Sequence, residues 1–384
     1  MNILVVCHYG LYQDLSFSFV HNQVKQYAAL GHRVRVIIPN GIGKTGRNGG
    51  RFGKGMTVSK IDGVELYDVR YLTLSSYGEK DFNQKSAIAA IRLHEKQILE
   101  RFSPDVIHAH TLGFDSGIGA WLKKRLDCPL VVTTHGSDTN VPLDNGQGAF
   151  LKQCCDQADA VVAVSNQLKE RLAACGTKTP LYAIHNGFVP RPVPEGIERK
   201  SCSIIQVGHL VPSKRVDVTI RAFAELRKTY PDMTLTIVGQ GPLREDLEQL
   251  CLQLDVADAV QFTGQIPNEQ VFARMCASGF YVMASKPEGF GIVYLEAMAA
   301  GCVTIGSEDQ GIADIIKHGI NGFLVPVDAP ERIVKVVDQC LRDQQWADTV
   351  ANEGRALANG MTWTKNAQNN LALFDQLTTS KQKQ

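Results

Sequence analysis

Short apolar runs closed by glycine, histidine or another turn residue alternate along this chain with longer stretches whose apolar positions recur at helical spacing. NILVVC (2–7) is continuous and rich in β-branched residues, bounded by His8-Tyr9-Gly10, and fits a strand buried on both faces. From Phe17 to Leu30 the residues Phe17, Val20, Val24, Tyr27 and Ala28 or Leu30 share one side of a helix that Gly31 closes. RVRVII (33–38) is the next strand, followed by a strand pair near 56–71 and a helix near 84–101. DVIHAH (105–110) and PLVVTTHGSD (129–138) carry His108, His110 and His135 toward strand ends, and ADAVVAVS (158–165) and LYAIHNG (181–187) complete a first sheet. In open parallel sheets the carboxyl ends of the strands face the ligand crevice, so His135, followed by glycine, is a candidate site residue.

The pattern then breaks and begins again. FVPRPVPEGIERK has no periodicity and is rich in proline and charge, which places a linker at 189–200 between domains 1–188 and 201–362. SIIQVGHL (203–210), a helix at 216–230, the strand-turn-helix unit MTLTIVGQGPLREDLEQL (233–250) and AVQFTGQI (259–266) repeat the alternation. Helices near 330–342, 344–358 and 363–378 finish the chain before a KQKQ tail expected to fray. Two Rossmann-like α/β domains are the expected fold class.

Composition narrows the classes. A chain of 384 residues has room for two cores, and 44% hydrophobic with 21% charged residues is globular rather than disordered. A net charge of +1 argues against a general nucleic-acid binder. The ten cysteines form no C-x-x-C pair and MNILVVCHYG lacks the basic start of a secretory signal, so a cytoplasmic protein with free thiols is expected. Cys154 and Cys155 read as helix-core residues. No apolar run nears the ~18 residues of a membrane span, leaving only peripheral contact with a membrane. Residues 41–55, with seven glycines and Lys44, Arg47, Arg51 and Lys54, form a loop that could meet an acceptor or anionic headgroups. GIGKT there is not a phosphate loop, because position 38 is Ile38 and not glycine.

The strongest chemical signal is ASKPEGFGIVYLEAMAAGCVTIGSEDQG (284–311). Glu288 lies in a loop before Gly289-Phe290-Gly291, and a helix from Ile292 to Ala300 follows, closed by Gly301. Glu296 is that helix's single charge; its neighbours are apolar or small, so its carboxylate needs a cleft or several donors, such as ligand hydroxyls. The glycines allow a ligand close to the backbone, and the amides near Ile292 and Val293 offer an anion the positive end of the helix dipole. A sugar joined to a diphosphate matches both features.

This stretch resembles the signature of retaining GT-B glycosyltransferases of family 4, in which two glutamates stand eight apart, here Glu288 and Glu296. VGHLVPSK (207–214), IVGQGPL (237–243), VQFTGQI (260–266) and NGFLVP (321–326) follow the family's order across nearly the whole second half, and FVHNQVKQYAALGHRVRVIIP resembles its opening helix and second strand. The resemblance implies a nucleotide diphosphate sugar as donor, a UDP-sugar foremost, with no further cofactor and no metal, and a saccharide or lipid-linked acceptor bound by the first domain. It implies diphosphate contacts for Lys214, for His209 and for the amides of Gly289, Phe290, Gly291 and Ile292, and nucleobase contacts for Gln265 and Ile266. Glu296 would hold the ribose, Glu288 the donor sugar, and His135 the transferred sugar from the opposite side of a cleft. The family commonly has arginine where His209 stands; histidine is only partly charged near neutrality, so Lys214 is expected to carry more of the load. The last helix, 363–384, is implied to return to the first domain. A nucleotide-sugar epimerase and a catalytically silent sugar-nucleotide-binding protein are the alternatives. A dehydrogenase is disfavoured because Arg244 interrupts the dinucleotide fingerprint that would begin at Gly239.

Overall fold

A computed structural model of the chain describes residues 1–8, 18–42, 55–73 and 80–382. Phe17, residues 43–54 of the glycine-rich basic loop and the end of the tail lie outside them. The chain divides into two compact units, Met1–Asn186 with Trp363–Gln384, and Gly187–Thr362.

In the first unit, strands β1 (Asn2–Val6), β2 (Arg33–Ile42), β3 (Met56–Ile61), β4 (Val64–Leu72), β5 (Val106–His110), β6 (Leu130–Thr134), β7 (Ala160–Ala163) and β8 (Leu181–Ala183) form one sheet in the order β3-β4-β2-β1-β5-β6-β7-β8. All neighbours run parallel except the β3–β4 hairpin. β2 runs past the expected end at Ile38 and through Pro39. Its pairing with β1 stops at Ile37 while β4 continues alongside, so beyond Ile37 only one edge of β2 needs backbone partners and proline is tolerated. The central strands are buried on both faces, as their unbroken apolar runs demand.

Helices α1 (Ser18–Ala29), α2 (Lys80–Ile98), α3 (Phe114–Leu126), α4 (Ser137–Asp144), α5 (Gly148–Asp156) and α6 (Asn166–Ala173) connect these strands. Cys154 and Cys155 are buried in α5, in the core position expected of them. The final helix, α13 (Trp363–Gln382), belongs to this unit. Ala367, Leu371, Leu373 and Phe374 join one core with Ile3, Val5, Val20, Val24 and Tyr27. Buried polar groups fix its register: Gln23 Nε2 donates to Asn366 Oδ1 at 2.6 Å, and Asn366 Nδ2 donates to the His185 carbonyl at 2.8 Å.

The second unit holds β9 (Lys200–Val207), β10 (Thr234–Val238), β11 (Val260–Gly264), β12 (Ser278–Val282), β13 (Val303–Ser307) and β14 (Phe323–Val325) in the order β11-β10-β9-β12-β13-β14, all parallel. α7 (Val216–Thr229), α8 (Arg244–Gln253), α9 (Asn268–Cys276), α10 (Ile292–Ala300), α11 (Pro330–Arg342) and α12 (Gln344–Gly360) cover it. Both units are thus α/β layers on a parallel sheet, as the alternating pattern predicts.

Candidate active site

In the second unit β9 and β12 are neighbours, and chain order runs outward from them in opposite directions, through β10 and β11 on one side and β13 and β14 on the other. That reversal makes a crevice at the carboxyl ends of β9 and β12, where ligands of such sheets bind. The loops after these two strands border it and are joined directly: Lys286 N donates to the Ser213 carbonyl at 2.7 Å.

After β9 the chain passes Gly208 and His209 and enters a 3-10 turn, Pro212–Lys214. A Cβ on Gly239, the residue after β10, would lie 1.9 Å from the Gly208 carbonyl oxygen, so only glycine lets the two loops meet. The Lys214 stem lies against Gly208, within 3.7 Å of where that residue's Cβ would be. Its ammonium ends 2.5 Å from Glu288 Oε2, and both side chains keep only a minor exposure, 23% and 13%. The two residues that the sequence singled out from separate stretches therefore meet in one ion pair. His209 is exposed on the same loop.

Glu288 precedes the glycine turn. Gly291 caps α10 at φ 79, a left-handed backbone that suits glycine, and no side chain caps the helix there. Among the described residues the amides of Ile292 and Val293 have no acceptor, which leaves the positive end of α10 open. Gly301 ends the helix in the left-handed conformation expected of it. The Phe290 side chain is buried, so that residue can meet a ligand only through its backbone. Glu296 is half-buried on α10; burial raises its carboxyl above the usual range, and Arg191 opposes that shift. Among the described residues no side chain hydrogen-bonds to its carboxylate. On the far side of β9, Gln265 and Ile266 follow β11, and Gln240 Nε2 donates to Gln265 Oε1 at 2.9 Å.

His135 belongs to the first unit, directly after β6. Asp138 accepts from the backbone amides of His135 and Gly136 at 2.9 and 3.0 Å, and its second oxygen accepts from Leu112 N at 2.9 Å. His135 Nε2 lies 3.1 Å from His110 Nδ1 in a stacked pair of rings. Burial lowers His135 to about 4, with Asp138 opposing. His108 does not reach the strand end as expected. It is the middle residue of β5, fully buried against Tyr27 and Phe374, with Nε2 2.8 Å from Thr133 Oγ1.

Further groups, without a signal in the sequence, stand behind the site. Gln310, after β13, accepts from the Glu288 amide, and Gln206 on β9 donates to the Lys214 carbonyl, each at 2.8 Å. Near β1 and β5, Asp115 is buried and accepts from His8 N at 3.1 Å and Thr111 Oγ1 at 3.1 Å, with His8 Nδ1 at 2.8 Å. A glutamine or aspartate in an otherwise ordinary stretch carries no periodic signal. Among the described residues no group of three or more His, Cys, Asp or Glu forms a metal-binding set, and no helix is long and apolar enough to cross a membrane.

Comparison with known proteins agrees with this architecture. Residues 18–191 match the family model described as Glycosyltransferase Family 4, and residues 192–357 match Glycosyl transferases group 1. A GDP-mannose-dependent alpha-(1-6)-phosphatidylinositol monomannoside mannosyltransferase of Mycolicibacterium smegmatis is 30% identical over 62% of this chain and 68% of its own length. An N-acetyl-alpha-D-glucosaminyl L-malate synthase of Bacillus anthracis is 29% identical over 65% of this chain and 68% of its own. The structure of sucrose-phosphate synthase from Thermosynechococcus elongatus is similar, with a TM-score of 0.80 at 20% identity, covering 99% of this chain and 100% of that one. Anabaena HepE in complex with UDP has a TM-score of 0.73 at 19% identity, covering 98% and 100%. These matches and the two parallel-sheet units show that the chain belongs to the GT-B glycosyltransferases of group 1 and family 4.

Proposed function

We propose that this glycosyltransferase moves a sugar from a nucleotide diphosphate sugar, a UDP-sugar foremost, to an acceptor hydroxyl with retention of configuration and without a metal. The observation that carries the reading is the Lys214–Glu288 pair at the strand-order reversal, in front of the uncapped start of α10. A diphosphate needs positive charge as it departs; the open helix amides offer it already in place, and the Lys214 ammonium adds to it by exchanging Glu288 for the phosphate. Glu288 is then released to the hydroxyls of the donor sugar, and Glu296 to the ribose. His209 adds a donor when protonated, Gln265 and Ile266 serve the base, and His135 in the first unit serves the transferred sugar. With no dedicated nucleophile, the acceptor attacks from the side of the leaving group, whose phosphate takes the proton. Neither carboxylate forms a bond.

The finer assignments draw on relatives. HepE was solved with UDP, which supports a UDP-sugar, whereas the mycobacterial relative is named for GDP-mannose and a phosphatidylinositol mannoside. We place the acceptor, a saccharide or lipid-linked saccharide, on the first unit and the pathway in surface polysaccharide or glycolipid synthesis. The ten cysteines are free thiols, which supports a cytoplasmic location, with the enzyme at the inner membrane face when the acceptor is lipid-borne.

A panel of UDP- and GDP-sugars, read by protection against thermal unfolding, identifies the donor, because at a concentration of 100 Kd a ligand adds about 2.7 kcal/mol. With that donor, Lys214→Ala should raise the barrier to transfer by about 2.7 to 4 kcal/mol, the range for losing a preorganised donor. Transfer at the wild-type rate by Lys214→Ala or Glu288→Ala refutes the assignment, and sugar conversion with no acceptor present identifies an epimerase instead.

A further inference from the structure

We infer that two buried amides, Gln206 on β9 and Gln310 after β13, are positioning residues that divide the donor site between them, Gln206 setting Lys214 and Gln310 setting Glu288. The inference rests on the donor reading above and extends it to residues which touch no ligand.

Gln206 is 1% exposed. Its Nε2 donates to the Lys214 carbonyl at 2.8 Å, which ties the end of the 3-10 turn to the central strand beneath it. Its Oε1 is also buried and has no hydrogen-bond partner among the described residues. A buried carbonyl left unpaired costs about as much as one buried hydrogen bond returns, so this side chain adds little to stability. What it does add is a fixed location for the Lys214 backbone.

Gln310 is 4% exposed, and both ends of its amide are used. Oε1 accepts from Glu288 N at 2.8 Å and Nε2 donates to the Asp309 carbonyl at 2.7 Å. The next residue completes a clamp: Gly311 N approaches the Glu288 carbonyl at 3.4 Å, and a Cβ on Gly311 would stand 2.0 Å from the Gly289 carbonyl oxygen. Residues 310 and 311 therefore hold the backbone of 288 and 289 from both directions. Each member of the ion pair is held through its main chain by a different strand end, which leaves both side chains to exchange each other for the donor.

The two roles separate by ligand. Lys214 faces the diphosphate, so Gln206 governs affinity for the nucleotide itself; Glu288 faces the sugar, so Gln310 governs the preference for a sugar-bearing nucleotide. The test titrates UDP, GDP and their glucose, mannose, galactose and N-acetylglucosamine conjugates into wild type, Gln310→Leu and Gln206→Leu, with transfer and thermal unfolding measured alongside. Gln310→Leu should bind the nucleoside diphosphate within about threefold of wild type, lose the added affinity for the sugar conjugate, and transfer on the order of 10²-fold more slowly, the cost of misplacing a reacting geometry. Gln310→Glu keeps the oxygen that accepts from the Glu288 amide and should recover part of that loss. Gln206→Leu should weaken the diphosphate itself by about tenfold, the effect of losing one hydrogen bond's geometry at a charged contact.

Should either leucine variant not fold, Gln310→Met and Gln206→Met carry the same comparison. Equal loss of diphosphate and sugar conjugate in both positions, in step with a lowered unfolding midpoint, overturns the inference in favour of a purely structural role. An unchanged sugar preference in Gln310→Leu overturns it as well. A wild type that none of these probes binds refutes the donor reading, and the inference with it.

Discussion

His108, with no exposed surface, is lowered to about 3 and His135 to about 4, in both cases first by burial, with the charge of His135 adding to the effect on His108. Their folded-state affinity for protons lies below that of the unfolded chain, near 6.5 for a free histidine. The stability tied to their neutral forms is therefore complete above about pH 6.5 and declines as pH falls toward their folded values, by about 1.4 kcal/mol per pH unit for each group. Asp115 and Glu296, both raised by burial, work in the opposite direction, so the single-residue term needs a difference measurement. Urea unfolding at pH 7.5 and pH 5 should show a smaller loss for His108→Gln than for wild type; equal losses would contradict the assignment. The same residue shows what could be read beforehand. DVIHAH announces a strand, but nothing in it separates a histidine sealed beneath α13 from one at the strand end. Lys214 and Glu288 are legible because glycines and a helix start surround them, whereas Gln206 and Gln310 meet the Lys214 and Glu288 backbones through contacts that leave no pattern in the sequence.

At the scale of elements, α10 is readable to the residue, since an apolar helix with one charge between Gly291 and Gly301 has capping signals at both ends. α3 was not read. It contains Gly117 and Gly119, which resemble breaks, yet a Cβ on Gly119 would lie 2.7 Å from Leu130, so the glycine is where the helix packs closely on β6. α4 likewise runs through Pro142. α13 is the element whose tertiary role has the largest testable consequence. Phe374, fully buried, packs against Tyr27 and His108 at ring separations of 5.8 and 5.2 Å, far from it in sequence. Phe374→Ala should destabilise the first unit by about 3 to 5 kcal/mol, the range for emptying a buried aromatic position. Denaturant unfolding followed by circular dichroism checks this, and a loss under 1 kcal/mol would show that α13 is not part of that core.

For the whole molecule, two runs of alternating strand and helix separated by a proline-rich break were enough to read two α/β units, because both periods are carried by the apolar residues themselves. The strand-order reversal in the second sheet was not visible, since strand order is set by three-dimensional packing and not by local pattern. That reversal is what brings 208–214 beside 283–290 and makes an ion pair of two residues 74 positions apart. The most direct test is calorimetric titration of the nucleoside diphosphate, UDP or GDP according to the donor, into wild type, Lys214→Met and Glu288→Gln. The proposed donor site predicts that Lys214→Met loses at least tenfold in affinity, about 1.4 kcal/mol, while Glu288→Gln binds the diphosphate and fails in transfer. Binding of the diphosphate by Lys214→Met as tightly as by wild type would contradict the account.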